Sequence, residues 1–315
     1  MALCDVNEEA MEGTIAECER AAGRDVSVFS FRCDVSKEQE CVSFRDAVLS
    51  KFGVQHVNLL FNNAGISGGG LFVNGSREEW ETVFNVCWGG VYLMTRVFLP
   101  LLIKAPKAHI INTSSVNGFY ASLGPDSPHT SYSSAKFAVK GFTEALLVDM
   151  RLNAPHVGVS LALPGHIGTD IVFNSQRQSA RFGGVHYMAN VRKRLKQSPH
   201  ISQESKAHLD HATDKQLMEL MMQHAAQFRD TGMPASDAAT FILNAVEAGE
   251  WRLLVGNDAE LLDAAVRSNP EKAYQTDVRG RNQFFSEFQS LGGMGNSNLE
   301  KQRRRLAHVL KASKL

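Results

Sequence analysis

Runs of apolar residues alternate with helical patterns along most of the chain. Strand-like runs occur at residues 2–4, 26–32, 57–61, 109–113, 157–163 and 252–255. The intervening patterns predict helices at residues 7–22, 36–52, 76–104, 131–152 and 236–248. Near-continuous apolar strands that alternate with helices are typical of a parallel sheet buried between helices. The pattern therefore predicts a doubly wound α/β fold with helices on both faces of the sheet.

Polar residues mark the predicted helix starts. Asn7 stands before two glutamates, an arrangement that caps a helix and places acidic residues in its first turn. Ser36 and Ser76 each lie three residues before a glutamine or a glutamate, which is the spacing of a capping box. We therefore expect these three side chains to accept hydrogen bonds from the first turns of their helices.

The chain changes character at Phe173. From there to about Gly232 it is polar, helix-forming and rich in His, Gln and Met, without a strand signal. We expect a helical insertion at residues 173–232 that acts as a lid over the substrate. Beyond residue 269 the composition becomes rich in Gly, Asn and Ser, and then basic at residues 301–305. We therefore expect one domain at residues 1–268 and a partly flexible C-terminal extension at residues 269–315.

Charge and cysteine content exclude several kinds of partner. The 33 basic and 33 acidic side chains cancel, so no net field draws nucleic acid or anionic lipid to the chain, and a small-molecule partner is favoured. The five cysteines contain no Cys-x-x-Cys pair, which argues against a disulfide framework and a zinc site and favours the reducing cytoplasm. We expect no membrane span, and for His208 and His211 a solvated helix face rather than a metal site.

Tyr132 and Lys136 carry the clearest chemistry. They are four residues apart on a predicted helix and therefore share one face, so that the phenol and the ammonium can reach the same site. Tyrosine has a reference pKa of about 10, and a nearby cation lowers it toward the range in which a phenol acts as an acid or base. Taken alone, the pair suits a solvated helix face at least as well.

Polar motifs follow three of the predicted strands. Asn62-Asn-Ala-Gly65, Asn112-Thr-Ser-Ser115 and Leu163-Pro-Gly165 stand at the carboxyl ends of strands, where open parallel sheets bind their ligands. The other motifs, in chain order, are Asp34-Val35, Asn85, Tyr132-x-x-x-Lys136, Ile167 and Thr169. From about Met1 to Gly256 this order resembles the short-chain dehydrogenase/reductase family. The resemblance implies a Rossmann-like domain that interconverts a secondary alcohol and a ketone or aldehyde with a nicotinamide cofactor.

The resemblance also implies catalytic roles. Tyr132 would be the general acid and base, and Lys136 would lower its pKa while binding the nicotinamide ribose. Ser115 would hydrogen-bond the substrate oxygen, with its neighbour Ser114 as the alternative. Asn85 would hold a water that connects Lys136 to solvent.

Two groups of residues would hold the cofactor. The adenosine end is assigned to Asp34, Val35, Asn63, Ala64 and Gly65, and the nicotinamide end to Tyr132, Lys136, Pro164, Gly165, Ile167 and Thr169. Asn62 and Asn63 could alternatively be ordinary turn residues.

Asp5 bears on the choice of cofactor. It ends the first predicted strand and so matches the family's acidic residue on the adenosine ribose, where a carboxylate would repel a 2′-phosphate. We therefore expect NAD rather than NADP. The alternative is that Asp5 caps the following helix in competition with Asn7.

One part of the family pattern has no counterpart in the sequence. Family members begin with a central strand and a Thr-Gly-x-x-x-Gly-x-Gly turn that brings backbone N–H groups to the pyrophosphate. The resemblance therefore implies an N-terminally truncated member, whose flanking strands lose backbone partners at about 1–3 kcal/mol each. The alternative function is that of a catalytically impaired pseudoenzyme or an oligomerisation partner. We expect a homodimer or homotetramer, and we expect part of the segment at residues 124–129 to cover the substrate.

Overall fold

The computed structural model describes residues 1–22, 26–73, 75–122, 128–183, 188–189, 191–192, 196, 209, 211–275 and 284. These residues group into two compact units. The first unit comprises Met1–Gly65, Phe84–Thr113 and Ala138–Leu161, and the second comprises the described residues of Ile66–Val83, Ser114–Phe137 and Ala162–Leu315.

Strands and helices alternate in both units. The strands are β1 (Ala2–Asp5), β2 (Phe29–Arg32), β3 (Leu59–Asn62), β4 (Ala108–Thr113), β5 (Val157–Pro164), β6 (Ile167–Gly168), β7 (Met233–Pro234) and β8 (Arg252–Val255). The helices are α1 (Glu8–Ala22), α2 (Glu38–Phe52), α3 (Arg77–Phe84), α4 (Gly90–Lys104), α5 (Thr130–Asn153), α6 (Ile171–Gly183), α7 (Asp214–Thr231), α8 (Ala235–Glu247) and α9 (Asn257–Ser268). A π-helix at Asn85–Gly89 joins α3 to α4, and 3₁₀ turns occur at Val116–Gly118 and Lys272–Tyr274.

The strands in the described part of the chain form three sheets. β1 pairs with β2, β3 pairs with β4 and β6 pairs with β7, in each case in parallel. The largest sheet has the order β3-β4-β5-β8. Parallel neighbours need crossover connections, and helices supply them along this chain. The doubly wound, Rossmann-like α/β fold with helices on both faces is thereby confirmed.

No described strand pairs with both β1 and β3, so β1 and β2 form a sheet of their own. β3 is consequently an end strand, and two of its apolar side chains are well exposed: Leu59 at 53% and Phe61 at 44%. The buried Oδ1 of Asn62, on the same strand, has no hydrogen-bond partner among the described residues. This is the arrangement that the absent central-strand motif predicts.

Two of the three predicted helix caps are present. The Oδ1 of Asn7 accepts from the backbone N–H of Ala10 at 3.3 Å. The Oγ of Ser76 accepts from the backbone N–H of Glu79 at 3.3 Å. Both helices begin one residue after these caps, because each cap satisfies an otherwise unpaired N–H group of the first turn.

The predicted cap at Ser36 is wrong. α2 begins at Glu38, and the residue before it, Lys37, makes no capping bond with its side chain. The hydroxyl of Ser36 instead donates to the Oδ1 of Asp34 at 2.7 Å, and the same oxygen accepts the Ser36 backbone N–H at 3.0 Å. A carboxylate two residues upstream offers Ser36 a local turn that competes with the cap.

One helical run, Arg77–Lys104, is long and apolar enough for a membrane by length and composition alone. Half of its most apolar window is buried inside the protein. Because burial of this kind is typical of a core helix, the run is weak evidence for a span.

Hydrogen bonds between buried side chains tie β3 and β4 to two helices of the first unit. The Nδ2 of Asn62 donates to the Oγ1 of Thr95 at 2.9 Å and to the Oδ1 of Asn112 at 2.8 Å. The Nδ2 of Asn112 donates to the Oγ1 of Thr143 at 3.0 Å, and this hydroxyl donates to the carbonyl of Val139 at 2.6 Å. The four polar side chains are all buried. Since water cannot replace these bonds, the network fixes the carboxyl ends of both strands against α4 and α5.

We expect Thr143→Val to lower the free energy of unfolding by about 2 kcal/mol, because the buried amide of Asn112 loses its acceptor. Urea unfolding measures the change. The control is Thr240→Val on the exposed side of α8, where the hydroxyl also donates to the carbonyl four residues earlier, that of Ser236, at 2.8 Å. There we expect a loss below about 0.5 kcal/mol. Equal losses in the two variants would contradict a stabilising role for the network.

Candidate functional site

The second unit brings the predicted tyrosine and lysine together at the start of α5. The ammonium of Lys136 lies 5.4 Å from the centre of the Tyr132 ring. Lys136 is only 3% exposed, whereas Tyr132 is partly accessible. A buried ammonium is screened by few water molecules, and a cation of this kind favours the ionised form of a nearby phenol. The arrangement suits a phenol that holds and releases a proton, and it disfavours the alternative of a solvated helix face.

The two candidate serines have different partners. The hydroxyl of Ser114 donates to the carbonyl of Lys136 at 2.7 Å, which joins the end of β4 to α5. The Oγ of Ser115 accepts from the backbone N–H of Asn117 at 3.1 Å, which leaves its own proton to donate elsewhere. The geometry therefore favours Ser115 for contact with a substrate oxygen and gives Ser114 a structural role.

A buried carboxylate holds the turn after β5, at the predicted nicotinamide-binding residues Pro164, Gly165, Ile167 and Thr169. The Oδ2 of Asp258 accepts the backbone N–H of His166 at 2.6 Å. A Cβ atom on Gly165 would overlap with this carboxylate, so only glycine allows so close an approach. Burial raises the pKa of Asp258, and the N–H donors oppose that effect. Asp258 thus fixes the backbone of the turn.

The same turn is attached to the C-terminal end of α7. The Nε2 of His166 lies 2.8 Å from the carbonyl of Phe228, and its ring packs on the Phe228 ring at 4.3 Å between centres. Gly168 and Gly232 bring two backbones into direct contact, because a Cβ on Gly232 would lie on the backbone N of Gly168. The end of the predicted helical insertion is therefore anchored at the turn after β5.

Asp5 lies exposed at the carboxyl end of β1 in the first unit. Its Oδ1 accepts the backbone N–H of Asn7 at 2.9 Å, while Asn7 itself caps α1. The capping alternative for Asp5 is therefore disfavoured, and its carboxylate remains at the strand end, where a ribose would be bound in an open sheet.

Asp34 and Val35 make contacts that stabilise the first unit. The backbone N–H of Asp34 donates to the Oε2 of Glu40 at 2.8 Å. Val35 is buried in the core of this unit, and a Cβ on Gly90 would lie 2.6 Å from its Cγ2. Val35 therefore serves the packing of α4.

The remaining adenosine-side residues follow β3. Asn63 and Ala64 are exposed, and Gly65 is partly accessible. The Oδ1 of Asn63 accepts from the hydroxyl of Thr113 at 3.1 Å, which joins the ends of β3 and β4. Asn62 belongs to the buried network, so it is more than a turn residue.

Asn85 opens the π-helix Asn85–Gly89 in the first unit and is exposed. π-helical turns are rare and occur frequently at functional sites, because the extra residue interrupts the regular hydrogen-bond ladder. Periodicity in the sequence predicted an uninterrupted helix here.

Two contributions in the second unit were not predicted: that of Asp258, and the contact of His129, from the segment at residues 124–129, with Tyr132. Asp258 belongs to α9, which was not predicted. His129 is 6% exposed, and its ring stacks on Tyr132 with 4.7 Å between ring centres and an angle of 27°. Its Nε2 lies 3.2 Å from the Oγ of Ser67, and burial lowers its pKa to about 4. The spacing of three residues between His129 and Tyr132 was the signal that could have indicated the contact.

No group of three His, Cys, Asp or Glu side chains that could hold a metal ion occurs in the part of the chain that the structure describes. His208, residues 124–127 and the basic segment at residues 301–305 lie outside the described residues, as does part of the predicted lid.

Comparisons with known proteins identify a consistent set of relatives. The family model for short chain dehydrogenases matches residues 1–180. SadH of Mycobacterium tuberculosis (strain H37Rv) is 35% identical over 175 residues, which are 56% of this chain and 60% of SadH. The 3-oxoacyl-[acyl-carrier-protein] reductase FabG of Thermotoga maritima is 30% identical over 165 residues, which are 52% of this chain and 63% of that protein. The chain therefore spans about three fifths of the length of these relatives.

A solved structure is similar over a longer stretch. It is a short chain dehydrogenase/reductase from Burkholderia phymatum in complex with NAD, 30% identical, with a TM-score of 0.62. The similarity covers 85% of this chain and 83% of that one.

The buried imidazole of His129 generates a prediction about stability and pH. Its pKa is about 4 in the folded protein, against an ordinary value of 6.5, so between these pH values the unfolded chain binds a proton that the folded protein does not. The free energy of unfolding should therefore fall by up to about 3 kcal/mol between pH 7 and pH 4 on account of this residue. Urea unfolding across that range, compared with His129→Gln, measures the contribution.

His56 supplies the control, since its side chain is exposed. We expect His56→Gln to follow the wild-type pH dependence. If His129→Gln followed it as well, His129 would not be a buried neutral imidazole.

Proposed function

The chain belongs to the short chain dehydrogenase family, and from this premise we propose that it interconverts a secondary alcohol and a ketone or aldehyde with a nicotinamide cofactor. The observation that carries the proposal is the Tyr132–Lys136 pair, in which a buried ammonium lies 5.4 Å from the centre of a partly accessible tyrosine ring. Ser115 supports it, because its hydroxyl proton is available to a substrate oxygen.

In this proposal Tyr132 holds the proton that the reaction moves. When a ketone is reduced, its Oη donates to the carbonyl oxygen, and when an alcohol is oxidised the phenolate takes the hydroxyl proton. Lys136 favours the phenolate through its charge. Ser115 donates to the same substrate oxygen and so orients it toward Tyr132. A nicotinamide cofactor held there would supply or accept the hydride.

The residues assigned to the two ends of a nicotinamide cofactor lie in different units. In the first unit, Asp5, Asn63 and Ala64 are exposed at the carboxyl ends of β1 and β3, the kind of place where an open sheet binds an adenosine. Of the other residues assigned to this end, Asp34 and Gly65 are partly accessible and Val35 is buried. In the second unit, the turn held by Asp258 presents Pro164, Gly165, Ile167 and Thr169. We propose NAD as the cofactor, because Asp5 would repel a 2′-phosphate. Asn85 would hold a water for proton exchange.

A second candidate function is a catalytically impaired protein that serves as an oligomerisation partner. It is favoured by one observation: no described strand pairs with both β1 and β3. The lid at residues 173–232, the cytoplasmic location, the single domain at residues 1–268 and the homodimer or homotetramer stay predictions.

We expect Tyr132→Phe to lower kcat for NAD-linked oxidation of secondary alcohols by at least about 100-fold, because it removes the titrating hydroxyl and almost no volume. The dissociation constant of NAD, measured by calorimetry, should change by less than about threefold. Tyr92→Phe, on the exposed side of α4, is the matched control and should keep wild-type turnover. Activity of Tyr132→Phe within a few-fold of wild type would remove Tyr132 from the mechanism.

We expect Asp5→Ala to lower the ratio of kcat/KM for NAD to that for NADP by about tenfold, because the repulsion of the 2′-phosphate is lost. Asp46→Ala removes an equal charge from an exposed position on α2 and should leave the ratio unchanged. An unchanged ratio in Asp5→Ala would show that Asp5 does not select the cofactor.

A further inference from the structure

The second unit contains a continuous line of contacts from the start of α6 to the ring of Tyr132. The hydroxyl of Ser175, on α6, donates to the carbonyl of Ile171 at 2.5 Å and accepts the backbone N–H of Ser67 at 2.7 Å. The Oγ of Ser67 lies 3.2 Å from the Nε2 of His129, whose ring stacks on Tyr132. α6 begins the segment predicted to cover the substrate, so the line connects that segment to the proposed acid and base.

The surroundings of His129 define which form of its ring is present. Its Nδ1 is buried and has no hydrogen-bond partner among the described residues. An N–H group at Nδ1 would therefore be an unsatisfied buried donor, which is rare and costly, whereas a bare lone pair is tolerated more easily. The favoured form carries its proton on Nε2 and donates it to Ser67. A doubly protonated ring would place an uncompensated charge in a buried position, so the imidazole is neutral.

A neutral imidazole does not act on Tyr132 through charge, so it acts through the stacking contact between the two rings. His129, Tyr132 and Lys136 follow one another at spacings of three and four residues, so that they form a row along one face at the start of α5. Stacked aromatic rings favour one relative arrangement over others. The imidazole therefore restricts the swing of the phenol, while Ser67 restricts the imidazole.

We propose that His129 is a positioning residue for Tyr132, and that Ser67 and Ser175 link it to α6, so that the placement of this helix governs the orientation of the phenol. This inference rests on the proposed function for its kinetic part, while its structural part is independent of activity. Orientation matters because a displacement of about 1 Å at the reacting atoms can reduce the rate by about 100-fold.

The kinetic test compares variants along the line of contacts. We expect His129→Ala to lower kcat by about 10-fold to 100-fold with the KM for NAD changed less than about threefold, and His129→Phe to restore much of the loss because it keeps an aromatic ring. Ser67→Ala and Ser175→Ala should each lower kcat by about threefold to tenfold, and the effects of Ser67→Ala and His129→Ala should not add. Wild-type kcat in His129→Ala would overturn the proposal.

The control uses a second imidazole–hydroxyl pair. In the first unit the Nε2 of His109 lies 2.8 Å from the Oγ of Ser160. Ser160→Ala removes the same kind of bond and should leave kcat unchanged. If Ser160→Ala lowered kcat as much as Ser67→Ala, the loss of any imidazole–hydroxyl hydrogen bond would slow the enzyme. That result would contradict a specific role for the contacts from α6 to Tyr132.

The structural test needs no activity. The protein is labelled with 3-fluorotyrosine, and the ¹⁹F resonance of Tyr132, one of five tyrosines, is assigned by its loss in Tyr132→Phe. We expect the resonance to shift in His129→Ala, because the ring current of the imidazole is lost, and to shift or broaden in Ser67→Ala and Ser175→Ala. A resonance that does not respond to His129→Ala overturns the stacking, and one that responds to His129→Ala alone overturns the link to α6.

The two tests separate this inference from the proposed function. An inactive wild-type protein whose Tyr132 resonance responds to all three variants supports the positioning line and contradicts the proposed reaction. If the wild-type protein is active and the three variants change neither kcat nor the Tyr132 resonance, the result supports the proposed reaction and contradicts the positioning role of His129.

Discussion

The first unit depends on one buried chain of amide and hydroxyl groups, from Asn62 through Asn112 to Thr143. Backbone hydrogen bonds alone can form in more than one register of two parallel strands. A buried amide that bonds to one particular hydroxyl fixes a single register, because no water can replace that bond in an apolar core. This constraint places the carboxyl ends of β3 and β4 against α4 and α5, and with them the residues that follow each strand. A parallel sheet exposes its binding residues at that edge, so a polar network in the core determines where a polar ligand can be bound.

The second unit uses the same principle on a smaller scale. The carboxylate of Asp258 holds one turn, the hydroxyl of Ser114 holds another, and the imidazole of His129 lies against Tyr132. Each of these groups is buried and satisfies or supports a neighbour, and none was needed to recognise the family. Tyr132, the proposed acid and base, is partly accessible, whereas Asp258, Ser114 and His129 are buried, because a group that orients a neighbour must be shielded from water and from alternative partners.

How much the sequence predicts depends on whether the signal is local. β8 was predicted to the residue, and α1 and α5 to within one residue, because caps and apolar periodicity lie within each segment. β2 begins three residues later than its periodicity suggested, since Val26 is exposed. The two-residue strands β6 and β7 are too short for periodicity, and α9 was overlooked. The predicted cap at Ser36 is wrong because the carboxylate of Asp34, in the same turn, accepts hydrogen bonds from both the hydroxyl and the backbone N–H of Ser36. Tyr132, Lys136 and Ser115 were found through their motif. Asp258 acts through a contact with His166, which is 92 residues away in sequence, where no local pattern exists. His129 lies only three residues from Tyr132, but it belongs to no motif that would single it out.

The contact between Gly168 and Gly232 has an evolutionary consequence. Two backbones that touch there admit no side chain at either position, so the end of α7 is tied to the turn after β5 whatever lies between them. The stretch between the two glycines is nevertheless constrained where its side chains make contacts, because Phe228 packs on His166 and Ser175 accepts the backbone N–H of Ser67. Away from these contacts we expect its residues to vary most, while Gly168 and Gly232 themselves stay glycine.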